Sequence, residues 1–554
     1  MPQLQINQGP QDALLYDNTR SYFTNVGYVR TSNFQCELRD VDPQNTATFG
    51  STVQFVIPKA ADLMGPVDLL VDFDTLTGDD ALGTITDNKT VFLSWVESLG
   101  FAMIDKVTFS VGSHDIETIT GDQMYIQNEL MRGDEHRFAK STILKTGRPH
   151  IRVTAGDSTS ATWTPVYDQN TAYDNSARLI SKVESKNTAA GGQTAVYENE
   201  ATHYDGKKLI IPLSLFFTKH PSQYFPLAAI AGCNDVRISV KFRNLKELLT
   251  GRGTETVANG KITTGGTALT AVPPIKISKC QLRTHYVHVT GPEASLLMNK
   301  EHVRLLKLWQ PASFTKKIMA STGKQTLFDF ELPFLHPVQE IVIVIRKVSE
   351  MSDSTDFTAK SDAYDQKGFG KNYFAFHGGG KDPNIESHKY SSREATTAAT
   401  EHYLRVDGFK LTLNGQERHP SLAGDGISRD YLMNRLMPML HSNTSTSFID
   451  AVDGHTPTLV ENYDVTDFND DNFKALGEMM DRKEIYVYPF ALNPEGANPS
   501  GAVNFSKVSH AKLAITGTAH ATAANTEVEY RCEVWGVHYN WLQIKDGRAI
   551  TSFA

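Results

Sequence analysis

Alternation of apolar and polar residues at every second position is the feature that most restricts what this chain can become. In EVEYRCEVW, Val528, Tyr530, Cys532 and Val534 fall on one side while Glu529, Arg531 and Glu533 fall on the other. That is the pattern of a strand with one face in a core and one in water. KVTFSVGSHDIE sets Val107, Phe109 and Val111 against Thr108 and Ser110, and VRISVKF repeats the pattern with Val236, Ile238, Val240 and Phe242. FKLTLNGQERH carries Phe409, Leu411 and Leu413 into Asn414-Gly415, a pair that accepts the positive φ angles of a tight hairpin turn. EIVIVIRKV departs from the rule, being continuously apolar from Ile341 to Ile345, as expected of a strand covered on both faces.

Helical signals are few. DDNFKALGEMMDRK offers Asp470 or Asp471 as a cap with Phe473, Leu476 and Met480 on one side, and GPEASLLMNKEH, from Gly291, is a second candidate. Many short strands with so few helices indicate an all-β sandwich or barrel. At 554 residues the chain is long enough for two to four units, and the strand series runs twice, over 28–290 and 301–554, joined by 291–300. Three stretches rich in Ser, Thr, Asn, Asp and Gly, at 155–207, 350–400 and 420–470, are expected to project as long surface loops or small subdomains.

Composition removes several classes of function. Net charge is −9 with Lys and Arg scattered, so the broad positive field that collects phosphate backbones is missing and direct nucleic-acid binding is not expected. The N-terminal residues show no basic start followed by an apolar run, and no stretch of about eighteen apolar residues occurs. The expectation is a chain without signal peptide or membrane span. Cys36, Cys233, Cys280 and Cys532 fall in no metal or redox spacing and read as reduced core residues.

No catalytic motif emerges. The chain has no G-x-S-x-G elbow, H-E-x-x-H pair or phosphate-binding loop. FHGGGKDPN, at His377, places Asp382 where a phosphate loop needs Ser or Thr, and reads as a surface loop. His285 and His288 of HYVH point to opposite faces of a strand and cannot easily share an ion. DFNDDNF lacks the alternate ligands and distal glutamate of a calcium loop. The triplets at Asn88, Asn443 and Asn504 match a glycosylation acceptor but arise often by chance. No enzyme activity, metal or cofactor is expected.

FALNPEGANPSGAVNFSK, residues 490–507, lies between two strand-like runs. Asn493 and Asn498 each precede a proline that fixes a bend, Gly496 and Gly501 allow backbone shapes closed to other residues, and Asn504 can bond to its own backbone. It reads as a shaped corner with no nucleophile beside a base.

The same stretch carries a family resemblance. Pro499-Ser500-Gly501 followed by Asn504-Phe505-Ser506 resembles the P-[ST]-G-x-x-N-F-[SG] motif of major capsid proteins of nucleocytoplasmic large DNA viruses, the group of phycodnaviruses and iridoviruses. Four further blocks match in order. QGPQDALLYDNTRSYF, with Gln11 and Asp12, resembles the N-terminal G-A-Q-D segment, with Pro10 in place of alanine. VGSHDIE, with Gly112, resembles the I-G-G-Q-x-I-D hairpin, although Ser113 and His114 replace Gly and Gln. KKLIIPLSLFFTKHPSQYFPLAAI carries Pro212, Phe216, Phe217, Pro221, Pro226 and Leu227 of a V-P-L-x-F-F-F…P-x-x-x-L-P-L block, and LNGQER supplies Asn414 and Gly415.

The resemblance implies two tandem jelly-roll sandwiches, a homotrimer with a pseudo-hexagonal outline, and capsomers that tile an icosahedral shell. It further implies a place in the virion capsid after synthesis and assembly in the host cytoplasm, with neighbouring capsomers, minor capsid proteins and penton proteins as partners. The loops 155–207 and 350–400 are expected on the outer side, and residues 1–27 on the inner side near minor capsid proteins and an internal viral membrane. The alternative from another class is a secreted two-domain β-sandwich that binds or hydrolyses glycans, which needs a groove with paired carboxylates or stacked aromatics.

Overall fold

Eight main strands in the first half of the chain and eight in the second are shuffled into sheets by one and the same permutation. The computed structural model describes residues 34–74, 89–96, 98–130, 153–154, 166–167, 179–188, 192–198, 208–230, 232, 234–258, 261–264, 275–289, 292–348, 374, 376, 402–419, 426–441, 485–496, 498–521 and 527–552. The first half contributes β1 (Phe34–Val41), β2 (Thr52–Ile57), β3 (Leu63–Phe73), β4 (Ile104–Val111), β5 (His114–Thr120), β6 (Lys208–Pro212), β7 (Val236–Phe242) and β8 (Ile277–Val289). The second contributes β9 (His302–Met319), β10 (Ser321–Glu331), β11 (Pro337–Lys347), β12 (His402–Leu413), β13 (Gln416–Glu417), β14 (Tyr486–Pro489), β15 (Ala511–Ala521) and β16 (Glu527–Lys545), followed by β17 (Arg548–Thr551).

The first roll pairs β1-β8-β3-β6 in one sheet and β2-β7-β4-β5 in the other. The second roll pairs β9-β16-β11-β14 and β10-β15-β12-β13, each position advanced by eight. This is a jelly roll made twice. Even small additions recur: Phe225–Pro226 pairs with the start of β3, and Val503–Asn504 with the start of β11.

Alternation explains the strands with one wet face. Val236, Ile238, Val240 and Phe242 are buried, and so are Val107, Phe109 and Val111. The continuous apolar run of β11 has the covering expected on both faces. Ile341, Ile343 and Ile345 enter the core of the second roll with Tyr530, Cys532 and Val534, whereas Val342 and Val344 join the core of the first. The two rolls therefore share a hydrophobic seam, to which Trp535 and Val537 of β16 also contribute. For the same reason the expectation that Glu533 faces water is corrected: it is buried, because the first roll covers that side of its strand.

Two other expectations meet the structure differently. Cys280 and Cys532 are buried, but Cys36 is exposed because β1 is an edge strand whose outer side has no covering element among the described residues. Residues 155–207 include strands Leu179–Thr188 and Gly192–Glu198, which join Lys89–Trp95, Leu249–Ala258 and Lys261–Thr264 in a further five-stranded sheet. The helix at Gly291 is present as α2 (Pro292–Asn299), after α1 (Gly121–Leu130). The helix expected over 470–483 and the stretches 350–373 and 442–470 lie outside the described residues. His285 and His288 do diverge, the first lying 3.9 Å from Asp68 and the second 3.0 Å from Glu37.

Register fixes the ends of each roll. Phe73 at the end of β3 lies opposite Ile277 at the start of β8, Ile104 opens β4 opposite Phe242, and Lys208 opens β6 opposite Asp72. The β3–β4, β5–β6 and β7–β8 connections, which build the extra sheet, thus leave from one end. The start of β1, the β4–β5 turn and the β6–β7 connection lie at the other, basal, end. In the second roll Lys347 opposite Tyr530 and His402 opposite Ala521 set the same polarity. Both rolls stand the same way up. Arg304 near the basal start of β9 donates to the Ser222 carbonyl at 3.1 Å, and Arg346 near the far end of β11 donates to Asp122 at 2.7 Å.

Candidate assembly surface

The described residues that carry the family motif gather at the basal end. Gly112, with φ of 62°, turns β4 into β5, and its N–H donates to the Asp235 carbonyl at 2.8 Å. Asn414 and Gly415, with φ of 50° and 81°, turn β12 into β13, and the Asn414 N–H donates to the His510 carbonyl at 2.8 Å. Each turn is thereby tied to the connection that brings the chain from one sheet to the other. Gln11 and Asp12 lie outside the described residues.

In the first roll that connection is residues 213–235. Pro212 closes β6 on the exposed side, opposite Asp68. Phe216, Phe217 and Phe225 then turn inward around Phe109, with ring centroids 6.0, 5.1 and 5.2 Å from it. They close the bottom of the sandwich with an aromatic plug. Pro221 occupies the first turn of a short helix capped by His220, Pro226 pairs with Leu63, and Leu227 is buried. The Phe216 N–H donates to the Glu117 carboxylate at 2.8 Å, and burial pushes that carboxyl up to about 7 against the pull of the hydrogen bond.

In the second roll the connection is the corner 490–510. Ser500 Oγ accepts from the Asn493 N–H and donates to the Asn493 carbonyl, both at 2.9 Å, so one hydroxyl closes an eight-residue loop. Asn493 Oδ1 accepts from the Gly496 N–H at 3.0 Å, and Asn504 Oδ1 from the Ser506 N–H at 3.1 Å. Pro499 is exposed at the tip. Gly501 has φ of 137°, and a Cβ there would stand 2.9 Å from the Phe490 carbonyl oxygen, so both conformation and space require glycine. Phe505 is buried between Phe334 and Phe490, at 5.9 and 6.0 Å. The sequence reading of a shaped corner matches this geometry.

Charged groups pin the corner from behind. Lys307 Nζ donates to the carbonyls of Pro494, at 2.7 Å, and Gly496, and burial together with the nearby Lys219 charge lowers it to about 8. His441 sits between two carboxylates, Nε2 3.0 Å from Glu340 and Nδ1 3.2 Å from Glu495. Burial alone would lower its pKa, but the two carboxylates outweigh it and hold the imidazole at about 9. Toward the other end, Arg346 lies fully buried in the seam, bound to Asp122 and Glu533 and stacked 5.5 Å over Phe376. Burial disfavours the Asp122 carboxylate, yet Arg346 and Arg243 hold it at about 2.

Sequence reading missed these charged groups. Their partners are far apart along the chain, and the one available signal was Arg346 itself, a cation in step with Val342 and Val344 of a strand covered on both faces. Among the described residues no group of three or more His, Cys, Asp or Glu is arranged to hold a metal ion, and no helix is long and apolar enough to cross a membrane. The arrangement offers surfaces and braces.

Comparison with known proteins agrees with the geometry. The family profile described as major capsid protein N-terminus matches residues 21–288. The major capsid protein of Phaeocystis pouchetii virus is 23% identical over 97% of this chain and 96% of its own. That of Pyramimonas orientalis virus is 21% identical over 74% of this chain and 75% of its own. Among solved structures, VP54 of PBCV-1 aligns with a TM-score of 0.54 at 15% identity, covering 96% of this chain and all of that one. The Faustovirus major capsid protein aligns with a TM-score of 0.51 at 13% identity, covering 95% and 93%. The structural likenesses show a shared double jelly-roll fold, and none of these findings favours the glycan-binding alternative. A relative matched along the length of the chain and the shared fold make the protein similar to the double jelly-roll major capsid proteins of large DNA viruses.

Proposed function

We propose that three copies of this chain associate into a capsomer with six rolls in a ring, and that such capsomers tile the icosahedral shell of a large DNA virus. One observation carries the reading: two rolls of identical permutation stand side by side, the same way up, fused through a shared core. A rigid brick of this kind presents similar sides to its neighbours. Its work is assembly and involves no bond-breaking step.

The two ends take different roles in this reading. The extra sheet and the long insertions face outward, where added length does not disturb tiling. The basal end, with its braced corners, faces inward, and residues 1–27 act there beside minor capsid and penton proteins and an internal membrane. Residues 28–290 and 301–554 form the two rolls, with 291–300 as the joint. Newly made chains assemble in the host cytoplasm. The motif residues from Gly112 to Phe505 serve by shaping this basal end.

Light scattering of the purified protein tests the central claim. A stable particle of about three chain masses across dilution supports it, and a monomer at every concentration overturns it.

A further inference from the structure

We infer that His336 and His538 form a proton-operated latch at the basal end of the second roll, which holds residues 503–508 closed while the rings are neutral and releases them when the pair takes up protons. The device lies outside the assembly reading and does not depend on it.

Three pieces of chain meet at this place. Residues 332–336, between β10 and β11, lie over β16, and the later half of the corner, 503–508, closes against them. Phe334 sits over Gly536, where a Cβ would stand 2.9 Å from its ring. His336 sits over His538 in the same way, with ring centroids 5.5 Å apart and planes at 31°. The backbone of His336 grips the corner from both sides. Its N–H donates to Ser506 Oγ at 2.9 Å, and its carbonyl accepts from the Phe505 N–H at 3.0 Å. Pro337 extends the contact by pairing with Asn504. Whatever drives the His336 ring away from β16 therefore pulls on both bonds and unseats Phe505 from between Phe334 and Phe490.

His336 is also the strained member of the set. Its φ of 65° is left-handed, a region that a residue with a Cβ occupies only while its surroundings hold it there. The surroundings of His538 are poorly suited to a charge. It is 5% exposed, and its Nδ1 has no hydrogen-bond partner among the described residues. β9 sets Leu308 opposite it, and β11 sets Val338. The charged residues of the adjoining elements turn elsewhere: Lys307 to the Pro494 carbonyl, Glu340 to His441 and Glu331 toward His510, while Lys507 is exposed. The charge that reaches His538 is that of His336. Protonating the pair thus puts like charges side by side in a buried place, which separation and hydration relieve.

Burial first, and the His336 charge second, lower His538 to about 4 against the pull of the Gly536 and Leu308 carbonyls. Once released into water the ring returns toward its ordinary 6.5, so each proton gained favours the open form. The closed form has its full advantage above about 6.5 and loses it as pH falls toward 4. The earlier half of the corner is held separately, by Lys307 and by His441, whose pKa of about 9 keeps it charged over that range.

The test is amide hydrogen exchange of the full chain at about pH 7 and about pH 5, with rates corrected for intrinsic exchange and circular dichroism as the check on folding. Protection at the amides of His336, Phe505 and Val508 is expected to fall roughly 20-fold between the two conditions. Ile343 and Cys532, within β11 and β16, keep theirs. In His538→Asn, which removes the proton site, the change at the corner should stay under about threefold. His336→Asn accepts the left-handed backbone but removes the second ring, so the fall should shrink without vanishing. Wild-type protection that is the same at both pH values overturns the inference whether or not the variants fold. An equal fall in wild type and His538→Asn overturns it, as does an undiminished fall in His336→Asn. A fall shared by Ile343 and Cys532 marks general unfolding and also overturns it.

Discussion

Arg346 of the second roll and Asp122 of the first meet at 2.7 Å inside the protein, the guanidinium fully buried and the carboxylate 13% exposed. Glu533 completes the pairing from the neighbouring strand. Attraction between buried opposite charges compensates for lost hydration only while every partner is present.

Removing the cation alone takes from Asp122 and Glu533 their shared buried partner, leaving the longer contacts to Arg243 at 3.4 Å and Arg531 at 3.2 Å. Arg346→Ala is expected to lower stability by about 3–5 kcal/mol in urea unfolding. Replacing the set with Arg346→Met, Asp122→Asn and Glu533→Gln should recover most of that loss. A cost under about 1 kcal/mol for Arg346→Ala would show that the pair does not brace the seam.

The corner 490–510 depends on one hydroxyl and one glycine. Ser500→Ala removes the bridge to both backbone groups of Asn493 and is expected to cost about 1–2 kcal/mol. Gly501→Ala forces a side chain into a positive φ and against a carbonyl, for about 1–3 kcal/mol. Thermal unfolding of the two variants checks both. A Gly501→Ala protein as stable as wild type would mean that the corner refolds around the new methyl group.

Phe217 is fully buried in the plug around Phe109. Truncation to Ala should cost about 3–5 kcal/mol, while Phe217→Leu, which keeps most of the volume, should cost less than half as much. Equal losses for the two would point away from packing as the plug's contribution.

Two histidines set opposite limbs of the pH profile. His441, held at about 9 against an ordinary 6.5, contributes stability that is complete below about 6.5 and fades as pH rises through 9. His538, which burial lowers to about 4, acts the other way, and its contribution is lost as pH falls from 6.5 toward 4. At 1.36 kcal/mol per pKa unit, each limb amounts to at most about 3 kcal/mol. Glu117, raised to about 7, adds to the fall as pH rises through 7, and Lys307, lowered to about 8, opposes it above 8, so the histidines are read from variants, with His441→Gln flattening the alkaline side and His538→Asn the acid side. An alkaline limb left unchanged by His441→Gln would refute the assignment.

What the sequence made legible was whatever depends on neighbours along the chain. Val236 to Phe242 declared a strand with one buried face because alternation is local, and Asn414-Gly415 declared its turn because φ is a property of single residues. Glu533 was misread because a polar residue on an alternating strand looks alike whether its face meets water or another roll. His441 could not be linked to Glu340 and Glu495 from spacing, since 101 and 54 positions separate them. Nor could five motif blocks scattered over the chain announce that their described members share one end. That follows from strand register, which is a property of pairs.

The unequal ends have a consequence for change over time. Peptides added to the β3–β4, β5–β6 or β7–β8 connections leave the strand ladders of the two rolls intact, whereas the corners at the opposite end are held by single hydroxyls, glycines and rings with little slack. In the arrangement proposed above, lineages built on this scaffold can therefore rewrite what they display to the world without altering the foot on which they stand.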